Sequence, residues 1–171
     1  MNEPTTPHRR TKMIIRVNEE AEKFYSKAQE LGLLAVESFR EQQSNSKKEQ
    51  HRSQMTGLEN IAETTMKVSD VLDYIKKQTA RQQGWKTVYE SGRLIMTLKQ
   101  YQDKCFGEIL KTYIENDLKS IREEICRNIG IGDQSYEDQR DRQQVYLHLI
   151  RQFVRQIVVQ YEYQVNKPEK K

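Results

Sequence analysis

Apolar residues recur along this chain three and four positions apart, the spacing that gathers side chains on one face of an α-helix. The first such run is Ala21, Phe24, Ala28, Leu31 and Ala35, continuing to about Phe39. Asn18 precedes it as an N-cap, with Glu19, Glu20 and Glu22 in a first turn where the helix dipole favours negative charge. The stripe is narrow and predicts one amphipathic helix. From Ser44 to Ser53 the sequence SNSKKEQHRS holds no apolar residue and reads as a loop or a frayed, solvated stretch between helices. Beyond it, Leu58, Ile61, Thr65, Val68, Leu72, Ile75 and Thr79 alternate strictly over three heptads. That pattern predicts a continuous helix whose seam packs at a shallow angle against partner helices, inside a bundle or between subunits.

Gly84 ends or bends this helix, and Trp85 opens another with Val88, Ile95, Leu98, Cys105 and Ile109 broadly on one side. Leu110, Ile114, Leu118, Ile121 and Ile125 carry the stripe onward, so residues 86–128 hold either one long helix or two shorter ones. The Gly130-Ile131-Gly132-Asp133 turn then reads as a helix stop. A last helix from about Tyr136 to Tyr163 has the widest apolar arc, including Tyr146, Leu149, Ile150, Phe153, Ile157 and Tyr161, which places it at the centre of the assembly. The predicted fold class is all-α, a bundle of four to five long amphipathic helices in a single domain over residues 17–165. Polar, proline-punctuated residues 1–16 and 166–171 read as disordered tails.

Composition supports this picture. Of 171 residues 35% are apolar and 32% charged, with only seven glycines and three prolines, which suits long helices with wetted outer faces. The net charge of +4 sits mainly at the ends: residues 1–16 carry +3 and residues 166–171 carry +2, leaving −1 for the body. A pI near 9.0 therefore says little about nucleic acid. Cys105 and Cys126 lack a Cys-x-x-Cys spacing and read as buried free thiols of a cytoplasmic protein. No stretch approaches the ~20 apolar residues of a membrane span, and Met13-Ile14-Ile15 is too short a run for a signal peptide.

Candidate chemistry is sparse. His8, His51 and His148 belong to no metal motif, and no dinucleotide or phosphate-binding loop is present, so neither metal nor cofactor is expected. Arg142 and His148 are spaced like the Arg and His of HEPN-type ribonucleases, in which paired subunits bring the two groups to a phosphodiester. Six residues turn an ideal helix by about 240°, however, which separates the two faces. The bland alternative makes His148 an ordinary bundle residue.

The stretch Tyr74 to Tyr89 carries Lys76, Lys77, Arg81 and Lys86 without an acidic residue, interleaved with Tyr74, Trp85 and Tyr89; Arg93 follows. Cations of this kind neutralise phosphates without reading sequence, and an exposed ring can stack on an unpaired base. Arg151 and Arg155 extend the patch if their face lies alongside. A solvated basic helix end with core aromatics fits the same residues.

Three segments resemble the small helical subunit of type III CRISPR interference complexes. Thr64-Thr65-Met66-Lys67-Val68 is similar to a Thr-Thr helix start of that family, and Val88-Tyr89-Glu90-Ser91-Gly92-Arg93 resembles its Tyr-x-x-Gly-Arg signature. Phe153-Val154-Arg155-Gln156-Ile157-Val158-Val159-Gln160-Tyr161 is like its closing helix, with Gln160 where the family has Ala. The usual Arg near the Thr-Thr pair is missing. The resemblance implies a non-catalytic subunit that stacks with copies of itself along a guide–target duplex and touches the nucleic-acid backbone, with Tyr89, Gly92 and Arg93 carried over from the family pattern. The function expected is an assembly subunit of a cytoplasmic ribonucleoprotein, with RNA or single-stranded nucleic acid and other protein subunits as partners. A protein–protein adaptor using the 58–79 seam, and the Arg142/His148 ribonuclease, are the alternatives.

Overall fold

The computed structural model describes residues 7–39, 45–89, 94 and 96–167. Helix α1 runs from Pro7 to Lys23 and α2 from Tyr25 to Phe39. Proline fits a first helical turn, where its missing N–H is no loss. Met13 and Val17 are 5% and 2% exposed and extend the stripe of Ala21 and Phe24 backwards at four-residue steps. The expected basic tail is therefore corrected over residues 7–16, which are helical and anchored, and Asn18 lies inside α1 rather than at its cap. Phe24 N–H to Glu20 O and Ala28 N–H to Phe24 O, 3.1 and 3.0 Å, carry the helical ladder through the junction of α1 and α2.

Helix α3 spans Asn45–Thr64, so residues 45–53 are helical where a loop or frayed stretch is expected over Ser44 to Ser53. Lys, Glu and Gln are good helix formers despite their polarity. The stripe begins with polar members: His51, 4% exposed, stacks on Phe39 with ring centroids 4.4 Å apart, and Gln54 is buried one turn on, ahead of Met55, Leu58 and Ala62. The chain then turns at Thr65–Lys67 into α4 (Val68–Arg81). Thr65 Oγ1 accepts the Lys67 N–H at 3.0 Å and donates to the Asp70 carboxylate, a local alternative to the helical ladder. The three-heptad seam is thus not one helix. It folds back on itself, with Leu58 on α3 and Ile75 on α4 both fully buried in the shared core.

Residues 86–128 are neither one helix nor two. The single turn α5 (Gln83–Lys86) leads into extended chain whose Val88 pairs antiparallel with Cys105, followed later by a 3₁₀ helix, Met96–Tyr101. A continuous rod comes next: α6 (Phe106–Thr112), a π-helical stretch (Tyr113–Leu118) and α7 (Lys119–Asn128). Phe106, Leu110, Ile114 and Leu118 are all fully buried at successive four-residue steps. On an ideal α-helix each such step drifts by about 40°, so a wider turn is needed to keep all four on one side. Gly130, at φ +75°, ends the rod in the left-handed conformation, with Ile131 N–H bonded to Cys126 O at 2.8 Å and Ile131 itself buried. This is the helix stop expected of the Gly-Ile-Gly turn.

Helix α8 (Tyr136–Val165) starts at Ser135, whose side chain accepts the Asp138 N–H. It is central, packing on α1, α2, α3 and α7. The architecture is an all-α bundle, and one core joins Met13 of α1 to Tyr161 of α8. Both thiols, Cys105 and Cys126, are free and buried. No described helix is long and apolar enough to cross a membrane.

Candidate nucleic-acid interface

Helix α4 turns Val71 and Ile75 into the core against α3 and α6, which leaves positions 76, 77, 80 and 81 outward. Lys76, Lys77 and Arg81 are accordingly exposed, as is Lys86 at the end of α5. Lys76 stands 3.5 Å from Asp73, one turn earlier, with both side chains more than half exposed. Such a pair is weak and readily exchanged for another anion. Among the described residues Lys77, Arg81 and Lys86 form no ion pair. Lys77 and Arg81 are four residues apart and share a face.

The aromatic residues between these cations are core. Trp85 is fully buried, donates its indole N–H to Gln54 Oε1 at 2.9 Å and meets Phe106 edge-on at 5.0 Å. Tyr74 donates its hydroxyl to Gln54 O, and Tyr89, 3% exposed, donates to Leu34 O. Trp85 and Tyr89 are buried and Tyr74 packs partly buried against the core, so of the two readings open for these rings the core one holds and the stacking one does not. Gly92 and Arg93 lie outside the described residues.

Arg151 and Arg155 do not extend the patch as free cations. Arg151 closes the carboxyl end of α3, donating from Nε to Ala62 O and from Nη2 to Thr65 O, both at 2.9 Å. Those carbonyls have no partner within their own helix, so a guanidinium fork there satisfies two at once. Arg155 pairs with Glu63 at 2.7 Å. Both side chains fasten α8 to α3, a task hidden in the sequence because the carbonyls they serve lie some ninety positions away.

The structure separates Arg142 from His148. Arg142 is bound to Glu123 of α7, which Arg122 shares while lying 4.9 Å over the Tyr146 ring. Partial burial opposes ionisation of Glu123, but hydrogen bonds from Arg142 and Arg122 outweigh it and hold that carboxyl below its ordinary range. His148 is half-buried on another side of α8, toward α1 and α3. Its burial, then the charges of Arg151 and Arg10, push it below the usual imidazole value against the pull of Glu63.

A cavity of about 320 Å³, missed by the sequence reading, opens between α2, the 3₁₀ segment, α6 and the π-helical stretch, with Tyr101, Lys104, Tyr113 and Asp117 in its wall. The run of four-residue apolar steps was the available signal, because a π-helical turn shifts the register of the side chains beyond it. Among the described residues no three His, Cys, Asp or Glu side chains gather to hold a metal ion. Compared with family models, with curated proteins and with solved structures, the chain matches none.

Proposed function

We propose that this chain is a non-catalytic helical subunit of a ribonucleoprotein that touches the nucleic-acid backbone through the ridge of Lys76, Lys77, Arg81 and Lys86. The observation that carries the reading is the set of exposed cations on α4 and α5, of which Lys77, Arg81 and Lys86 form no ion pair among the described residues and Lys76 only a loose one, rooted on helices whose other faces are packed. With the aromatics of this region buried, the ridge offers charge alone, which suits phosphates and does not discriminate bases. The resemblance to the small subunit of type III CRISPR interference complexes points to the same class of partner. The ribonuclease alternative draws no support from the geometry, since Arg142 is taken up by Glu123 on a different side of α8 from His148.

Fluorescence anisotropy with a mixed-sequence single-stranded RNA tests the reading. Single strands lose affinity with a log–log salt slope of about 0.7 per phosphate neutralised. Replacing Lys77, Arg81 and Lys86 together by Gln should therefore flatten the slope by roughly 2 and lower affinity for all sequences alike. A slope that is near zero in the parent chain, or unchanged in the triple variant, rejects the ridge.

A further inference from the structure

The cavity beside the π-helical stretch is independent of the ridge. Its volume of about 320 Å³ is far beyond that of an ion or a single water and falls in the range of small-molecule sites. Ile109 and the Tyr113 ring give it an apolar body, and Tyr113 is held in place by stacking on Phe153, centroids 4.5 Å apart at 20°. Several polar groups on its wall remain unused, three of them at positions that matter here. Among the described residues the Tyr113 hydroxyl makes no hydrogen bond, and neither Lys104 nor Asp117 makes an ion pair. Lys27, also in the wall, is by contrast occupied by Tyr101 and Glu30. A mainly apolar cavity with a few polar groups on its wall that are free to bond a ligand is the usual make-up of a ligand site.

The spacing of the two charges narrows the ligand. Lys104 lies at the foot of α6 and Asp117 near the end of the π-helical stretch; from Phe106 to Asp117 the rod rises through eleven residues, roughly 15 Å, so the two charges do not meet on one atom. An α-amino acid, whose charges share one carbon, does not span that distance, and a bare anion has nothing to offer a carboxylate. A nucleotide carries an anionic phosphate at one end, N–H donors on a base edge at the other, and a planar apolar face between. We propose that this cavity binds a nucleotide, with the base against Tyr113, its amino edge on Asp117 and its phosphate on Lys104. Its source is either a free mononucleotide or one unpaired nucleotide of a strand.

Isothermal titration calorimetry on the full chain with AMP, GMP, CMP and UMP, and separately with a short single-stranded RNA, tests the site. Asp117→Asn and Lys104→Gln alter exposed side chains and should leave the melting temperature unchanged. The expected result is saturable binding of at least one mononucleotide, weakened about tenfold or more by each variant through loss of a charge-assisted hydrogen bond. If only the strand binds, and the same variants weaken it, the site takes a nucleotide from a strand. Absence of saturable binding by any of these probes overturns the proposal. So does binding indifferent to both variants, or tryptophan or inorganic phosphate binding as well as the nucleotides. The triple ridge variant separates the two readings, because it should leave mononucleotide binding intact while strand binding through the ridge is lost.

Discussion

At the scale of single residues, two side chains show how packing decides behaviour. His148 is half-buried near Arg10 and Arg151, and its pKa is depressed by burial first and by those cations second. The folded chain thus favours the neutral ring. Above the ordinary imidazole value of about 6.5 this has no effect on stability, and as pH falls below it the unfolded state takes up the proton more readily. Stability should begin to decline as pH falls below about 6.5, the unfolded value, and His148→Gln should remove that part of the decline in urea titrations while leaving the later acid loss. The later loss belongs to Glu123 and Asp138. In Asp138 the Arg9 hydrogen bond lowers the pKa most; in Glu123 the Arg142 and Arg122 bonds overcome burial. Both carboxylates stabilise the fold above their unfolded values, near pH 4, and that contribution fades as pH drops through their folded ones. None of this was legible in the sequence, which shows charges but not which of them meet.

At the scale of elements, the close approach of α2 and α8 rests on Gly32. A Cβ there would stand 2.7 Å from Gln160 Cβ and 3.0 Å from Ile157 O, neither of which is the movable end of a side chain. Gly32→Ala gains about 0.5–1 kcal/mol of helix propensity but forces the two helices apart, and overpacking of this kind costs about 1–3 kcal/mol. A net loss of roughly 1–2 kcal/mol in chemical denaturation is expected. Gln160→Gly should recover part of it and Gln160→Ala should not, since alanine keeps the offending Cβ. Periodicity made α2, α4 and α8 readable because each presents one apolar stripe to one core. It failed where a stripe continues across a turn: Leu58 to Thr79 keeps heptad spacing although Thr65 and Asp70 fold the chain back between α3 and α4. It failed again at the start of α3, where His51 and Gln54 occupy buried positions that an apolar count leaves blank. The candidate site is half legible for the same reason: the cations of α4 can be read from the sequence, whereas it leaves open whether Trp85 and Tyr89 are surface or core rings, because their partners, Gln54 and Leu34, are remote in sequence.

At the scale of the whole molecule, the amino-terminal segment from residue 7 is part of the bundle, with Arg9 and Arg16 paired and Arg10 and Lys12 exposed. Four cations in residues 1–16 look like a basic arm, yet Arg9 is bound to Asp138 and lies 3.1 Å from Asp141, and Arg16 pairs with Glu19. Met13 sits in the shared core beside them. Removing residues 1–16 would expose the surface Met13 covers, worth about 1.5–3 kcal/mol, and leave Asp138 and the buried Asp141 without the Arg9 guanidinium. Against a total stability of about 5–15 kcal/mol, a loss near 3 kcal/mol should lower the melting temperature by roughly 6–12 °C. A free tail would leave it unchanged. The same truncated chain, held well below its melting temperature, should bind single-stranded RNA with the salt slope of the parent, because the ridge stands on α4 and α5 and its unpaired cations owe nothing to α1. A slope that drops with the first sixteen residues would move the phosphate contacts to α1.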